Sequence, residues 1–283
     1  MELGPWECLA DGVWRAVAEP ESVNVGLVAG SERALLIDTG STPAQGRAIR
    51  AAVTALTDVP LTHVVVTHAH YDHAFGLAAF TDLVTIGHAR LATALTGANA
   101  RAEAARLGVS PADLVAPNRP IELALATDLG GLRAEIVHFG PAHTSTDLVV
   151  VVPGADVVFA GDLLESSAPP SLGPDSLPES WPAALDGIIG VCGPDTRVVP
   201  GHGSVVDRVF AMNQRAQLSA LWGQAERLAV QGVPLERALA AGEWPFEDAT
   251  VAASLPHLYE RLARLGVVPR PRLPLVARVE EAR

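Results

Sequence analysis

Val64-Val65-Val66-Thr67-His68-Ala69-His70-Tyr71-Asp72-His73 sets an apolar, β-branched run directly against three imidazoles and a carboxylate. The segment from Leu61 to Thr67 has almost no polar alternation, which predicts a strand buried on both faces. Polar titratable groups crowded at a strand end gain little stability unless something binds them. Imidazole nitrogen and carboxylate oxygen are the ligand types of zinc and related divalent metals. The six residues from His68 to His73 are therefore read as metal-binding.

The same arrangement recurs downstream. Glu135 to Phe139 runs into Gly140-Pro141-Ala142-His143, Val157 to Ala160 into Gly161-Asp162, and Arg197 to Val199 into Pro200-Gly201-His202-Gly203. Loops at strand ends are where rigid scaffolds place reactive groups. The glycines let the backbone turn sharply there, so that a side chain points back over the sheet edge.

Around these segments the pattern alternates between strands and helices. Val23 to Ala29 and Arg33 to Ile37 flank Gly30-Ser31-Glu32 as a hairpin. Thr42-Pro43 opens a helix to about Leu56. A short helix is expected from Ala74 to Phe80, a strand from Leu83 to Ile86, and an Ala-rich helix from His88 to about Leu107, ended by Gly108. Strands follow at Ile121 to Leu125, Ala134 to Phe139, Leu148 to Val152 and Val157 to Ala160, the last two joined by a turn over Pro153 to Asp156. Leu163 to Pro178, rich in Pro and Ser, is expected to be a long exposed loop and, starting just after Asp162, a stiff pocket wall. Trp181 to Val191 should be helical and Arg197 to Val199 a short strand. Helical spacing dominates beyond Val205. The expectation is one domain over 1–283, with a core of about 12–204 and a helical extension of about 205–283.

Composition narrows the function classes. With 283 residues, 49% of them hydrophobic, the chain can bury a substantial core. A net charge of −12 disfavours nucleic acid and anionic membranes as partners. Only Cys8 and Cys192 are present, so a disulfide framework is not the organising device and a cytoplasmic location is expected. The first residues lack a signal-peptide pattern, and no apolar run approaches the ~20 residues of a membrane span. A small-molecule substrate is the expected partner, and a homo-oligomer is left open.

The set His68-x-His70-x-Asp72-His73, then His143, Asp162 and His202 in order, closely resembles the ligand signature of the metallo-β-lactamase superfamily. The resemblance covers roughly Val23 to His202. It implies a four-layered αββα sandwich of the α/β class, with a metal site at one edge. It also implies that His68, His70 and His143 bind one metal, that Asp72, His73 and His202 bind a second, and that Asp162 bridges them. Two zinc ions are expected, with iron or manganese compatible. Most true β-lactamases of the superfamily lack the bridging aspartate, whereas glyoxalase II-like thioesterases and lactonases carry it. In the resembled family Asp38, at the end of Leu35-Leu36-Ile37-Asp38, lies beneath the metals and orients their ligands.

The chemistry implied is hydrolysis of an ester, lactone, thioester or amide by a hydroxide shared between two zinc ions about 3.5–4 Å apart. Asp72 is the candidate to relay the proton. Two alternatives stay open: a mononuclear iron oxygenase of the persulfide dioxygenase type, and a metal-dependent phosphodiesterase. The remaining histidines are read as structural: His63 at a surface or edge, His88 at a strand-to-helix junction, His138 hydrogen-bonded within a strand, and His257 on an amphipathic helix.

Overall fold

The computed structural model describes residues 2–269. By compactness the chain divides into residues 1–219 and residues 220–283. In chain order the first unit contains β1 (Glu7–Ala10), β2 (Val13–Ala18), β3 (Val23–Ala29), β4 (Ala34–Ile37), α1 (Pro43–Leu56), β5 (Leu61–Val65), α2 (Tyr71–Ala74) and β6 (Val84–His88). There follow α3 (Leu91–Leu95), α4 (Ala98–Leu107), β7 (Arg119–Ile121), β8 (Ala124–Asp128), β9 (Arg133–Val137), β10 (Val149–Val152), β11 (Val157–Glu165), α5 (Trp181–Val191) and β12 (Arg197–His202). Helix α6 (Arg208–Val230) runs across the division, and α7 (Leu235–Ala241) and α8 (Asp248–Arg264) complete the second unit.

The strands form two sheets. One has the order β7-β6-β5-β4-β3 and extends through β2 to β1; the other is β12-β11-β10-β9-β8. They share a ladder only at His202 and Val23. Strands β4 to β7 are parallel, as are β11 and β12, so several strands end at the same edge.

The two-residue period of a strand sorts side chains into two cores. Leu35, Ile37, Val65 and Val28 point into the space between the sheets, where they meet Ile136, Val150, Phe159 and Val199. Leu36, Val64, Val66, Val25 and Leu27 point the other way, onto Ile49 and Val53 of α1 and onto Phe75, Leu77 and Phe80. Each such fully buried side chain is worth roughly 1.5–3 kcal/mol. On the far side α5 packs on β11, burying Trp181, Ala184, Leu185 and Ile188 at helical spacing. The Trp181 indole N–H donates to Leu163 O at 3.1 Å. The result is helix, sheet, sheet, helix: the four-layered sandwich.

Local chemistry explains where elements begin and end. Thr42 caps α1, its hydroxyl accepting from Gln45 N at 3.2 Å, with Pro43 in the first turn. The hairpin of β3 and β4, α1 and α5 stand close to their expected bounds, and α6, α7 and α8 occupy the stretch beyond Val205 where helical spacing was expected. Four expectations need correction. The strand expected over Ile121 to Leu125 is two strands: Ile121 closes β7 beside β6, while β8 begins at Ala124 beside β9, and Leu123, 73% exposed, lies in the crossing between sheets. The Ala-rich helix starts after His88, which belongs to β6, and breaks at Thr96-Gly97, where the Thr96 hydroxyl donates back to Ala92 O and Thr93 O. Leu163 and Leu164 are buried in β11, so the loop begins only at Ser166. His63 is buried rather than superficial, its Nδ1 2.7 Å from Thr62 Oγ1.

In the second unit α7 and α8 pack together, and the Tyr259 hydroxyl donates to Val233 O at 3.0 Å. Among the described residues no helix is long and apolar enough to cross a membrane.

Two glycines test this packing with opposite signs. A Cβ at Gly46 of α1 would collide with the Gly76 carbonyl, whereas Gly223 of α6 has nothing within 4 Å. Gly46→Ala should destabilise by about 1–3 kcal/mol, and Gly223→Ala should stabilise by about 0.5–1 kcal/mol. Urea unfolding midpoints of the two variants check the signs; equal shifts would contradict the close approach of α1 to the 75–80 segment.

Candidate metal centre

Six of the seven ligand-competent side chains leave a strand end or the turn beyond it, and Asp162 projects from within β11, where the register shifts on either side of Gly161. β5 runs out into Thr67 and His68, and α2 starts at Tyr71, placing Asp72 and His73 in its single turn. His143 stands between β9 and β10, three residues after Gly140 at φ 122°. Asp162 follows Gly161, at φ 54°, and His202 closes β12. Gly201 is required by contact: a Cβ there would strike the Asp162 carboxylate.

The seven residues gather into two groups, His68, His70, His143 and Asp162 in one and Asp72, His73 and His202 in the other, with the ligand atoms of each within 4.8 Å of one another. Asp162 faces both. Its Oδ2 lies 3.4 Å from His143 Nε2 and 3.7 Å from His68 Nε2, while Oδ1 lies 3.1 Å from His73 Nε2 and 3.6 Å from His202 Nε2. Asp72 Oδ2 is 3.3 Å from His202 Nε2.

Hydrogen bonds on the outer side of the rings determine which nitrogen carries the proton. Asp38, buried at φ 63°, accepts from Thr67 N through Oδ1 and from the Thr67 hydroxyl and His73 Nδ1 through Oδ2, each at 2.8 Å. With that hydroxyl proton committed to Asp38, Thr67 Oγ1 accepts from His68 Nδ1 at 3.1 Å. His202 Nδ1 donates to Glu21 O at 2.9 Å, and His70 Nε2 donates to Asp175 Oδ2 at 3.2 Å. In the neutral rings, Nε2 of His68, His73 and His202 and Nδ1 of His70 are therefore lone pairs turned inward. His70 Nδ1 stands 2.8 Å from His143 Nε2, and His68 Nε2 is buried with no hydrogen-bond partner. Converging lone pairs of nitrogen and carboxylate oxygen are the donor set of zinc, and of iron or manganese. The residues fit metal ions.

Electrostatics divide the rings. Burial, aided by the neighbouring His73, holds His68 well below its ordinary value, and burial with His70 pushes His143 down to about 4. Burial also opposes charge on His73 and His202, but Asp162 and Asp72 outweigh it. They hold His73 well above the usual range and His202 up at about 10. Burial works against ionised Asp162 too, yet His73 and His68 keep it well below the carboxylate range.

The sequence left several supporting residues unnoticed. Thr67 and Asp175 orient rings, as above. Asp147 braces the His143 loop, accepting from Ala142 N, Thr144 N and the Thr144 hydroxyl, and burial pushes its carboxyl up to about 7. The Thr144-x-x-Asp147 spacing of a side-chain turn was the available signal. His138 donates from Nδ1 to Asp147 O at 2.7 Å, its ring 4.3 Å from that of His88, so this pair is structural. His257 lies on α8, outside the site. The two ligand groups open onto a cavity of about 520 Å³, walled opposite them by α4 and the loop after β11.

A family model described as "Metallo-beta-lactamase superfamily" matches residues 18–206. The chain is similar to a metallo-beta-lactamase type 2 of Bacillus cereus, 27% identical over 150 residues that cover 52% of this chain and 54% of that protein. It is also similar to a hydroxyacylglutathione hydrolase of Rhodobacter capsulatus, 32% identical over 146 residues covering 50% of this chain and 48% of that one. The chain thus spans about half the length of these curated relatives. A solved metallo-beta-lactamase from Pontibacter korlensis has the same fold, with a TM-score of 0.62, 22% identity, and coverage of 77% of this chain and 99% of that chain.

Asp38→Ala strips acceptors from Thr67 N and His73 Nδ1. It should cost about 1–3 kcal/mol of stability and weaken metal binding by about 10–100-fold. Urea unfolding and chelator competition measure the two, and a folded variant with undiminished metal affinity would contradict the orienting role. His202, with its raised folded value, stabilises the metal-free protein fully below about pH 6.5, and that contribution is lost as pH rises toward 10. Asp162, depressed, contributes throughout that window. The metal-free urea midpoint should therefore fall between about pH 7 and 9, and a flat profile would contradict the carboxylate pairing of His202.

Proposed function

The chain belongs to the metallo-β-lactamase superfamily, and on that premise we propose that it is a zinc-dependent hydrolase cleaving an ester, lactone, thioester or amide bond of a small molecule. The observation that carries this reading is the convergence of five imidazoles and two carboxylates, in two groups around Asp162, at the base of one cavity. His68, His70 and His143 would hold one ion, Asp72, His73 and His202 a second, and the two Asp162 oxygens would serve one each. A bound pair of divalent ions would supply a nucleophile from water at neutral pH and would polarise the carbonyl whose carbon is attacked.

The protein's own groups do the rest. Asp38 and Thr67 keep the protons of His68 and His73 on the outer nitrogens. Asp175 and the Glu21 carbonyl do the same for His70 and His202. Asp72 lines the cavity with its carboxyl depressed: burial opposes the charge, and His73 and His202 outweigh it. Ionised, it can take the proton that the attacking water sheds and return it to the leaving atom. An aspartate at the Asp162 position favours thioester and lactone chemistry over β-lactams, and one of the similar proteins is named a hydroxyacylglutathione hydrolase.

Metal quantification with a substrate panel tests the proposal. The panel holds a chromogenic cephalosporin, an acyl-homoserine lactone, a glutathione thioester, aryl esters and a phosphodiester. About two zinc ions per chain are expected, with ester or lactone turnover abolished by chelation and by His68→Ala with His70→Ala. Full turnover without metal would overturn the proposal. One iron with oxygen consumption would replace it by the dioxygenase reading, and strong cephalosporin hydrolysis would reverse the substrate order.

A further inference from the structure

Resting on that hydrolase reading, we infer that the cavity selects uncharged or cationic acyl substrates and rejects those bearing a free carboxylate, with Glu165 and Asp175 as its specificity-determining groups. The wall opposite the metal ligands carries three charged residues, all acidic: Glu103 on α4, Glu165 at the end of β11, and Asp175 in the loop beyond. Among the described residues no arginine lines the cavity, and the sequence contains no lysine at all. Among the described residues, the arginines that come near are engaged elsewhere. Arg106 pairs with Glu103 at 2.6 Å and lies over the Tyr71 ring at 4.9 Å. Arg15, which reaches Gly203 O beside His202, also donates to Glu7 and Asn24.

Arg106 neutralises Glu103, which leaves two wall carboxylates. Each is held by hydrogen bonds that fix it. Glu165 Oε1 accepts from Ser167 N at 2.9 Å and from the Ser167 hydroxyl at 2.6 Å, and in the strand ladder Glu165 is the partner of His202. Asp175 is anchored on His70. Carboxylates pre-set in a cleft with low-dielectric walls focus their field on whatever enters. A substrate carboxylate would meet like charge on the wall opposite the metal ligands, with no Lys or Arg side chain among the described lining residues to receive it. The neutral members of the wall, Asn99, Ala102, Ser167, Ser171, Gly173 and Pro174, suit an uncharged acyl group.

The test measures binding without turnover. The full chain is loaded with Co²⁺ and titrated with cysteamine, 2-mercaptoethanol and 3-mercaptopropionate, following the thiolate-to-cobalt absorption and correcting for each thiol's ionisation. Cysteamine and 2-mercaptoethanol should bind about tenfold more tightly than 3-mercaptopropionate at low salt, with the gap narrowing as salt is raised. Glu165→Gln and Asp175→Asn should each reduce the ratio of cysteamine to mercaptopropionate affinity by about threefold. That ratio compares two thiols on the same loaded protein, so altered metal affinity cancels. Equal or tighter binding of 3-mercaptopropionate, a ratio unchanged in both variants, or no thiol binding would overturn the inference while leaving the hydrolase reading intact. Failure to take up Co²⁺ would instead bring down the hydrolase reading itself.

Discussion

A single buried carboxylate governs the arrangement. Asp38 sits at φ 63°, a conformation that costs a non-glycine residue of order 1–3 kcal/mol, and it accepts three hydrogen bonds at 2.8 Å. Those bonds join the end of β4 to the end of β5 and direct the protons of two rings, His73 directly and His68 through the Thr67 hydroxyl. The strain is offset locally, because each bond to the ionised group is worth about 1.5–3 kcal/mol. Without this anchor the inward nitrogens could exchange protons with the outward ones, and the ligand set would lose its polarity.

The topology then supplies convergence. Parallel strands end at the same edge by construction, so β4, β5 and β12 deliver Asp38, His68 and His202 to one rim, and Asp162 joins them from within β11. The two sheets touch in the ladder only at His202 and Val23, which puts one ligand at the seam between layers. Burying seven titratable groups at such a seam carries a desolvation penalty of several kcal/mol per ion. The mixed signs of the shifts, with His68 and His143 held neutral and His73 and His202 drawn toward charge by Asp162 and Asp72, show how the protein part balances that penalty.

The candidate ligand groups were legible in the sequence because metal chemistry restricts residue type so tightly: few other uses place His-x-His-x-Asp-His after an apolar strand. The buried strands β3, β4 and β5 were legible through their nearly unbroken apolar runs, and the four layers through the family resemblance. Contacts between distant segments were not. His70 and Asp175 are 105 residues apart, and nothing local to Gly173-Pro174-Asp175 marks that aspartate. The Pro and Ser content after Asp162 suggested an early loop, but Leu163 and Leu164 continue β11 because Trp181 and Gln214 donate to the Leu163 carbonyl and hold the strand in place. The break at Thr96-Gly97 was masked by the helix-favouring alanines on either side.

Wall and ligand groups form one mechanical unit, and this bears on how substrate choice is set. The loop after β11 donates from the Ser176 hydroxyl to His143 O at 2.9 Å and places Asp175 on His70, so two ligands of the same group are held by the loop that lines the cavity. Ser166 does the same on the other side, donating to Ser204 O next to the turn that carries His202. A change in this loop that reshaped the cavity would also move a ring. Of the two wall carboxylates, only Glu165 faces the cavity without a hydrogen bond to an imidazole, its acceptor oxygen being spent on Ser167. On the proposed reading, charge selection can therefore vary at Glu165 with little effect on the imidazole rings, whereas a replacement of Asp175 would also release the His70 ring that it holds.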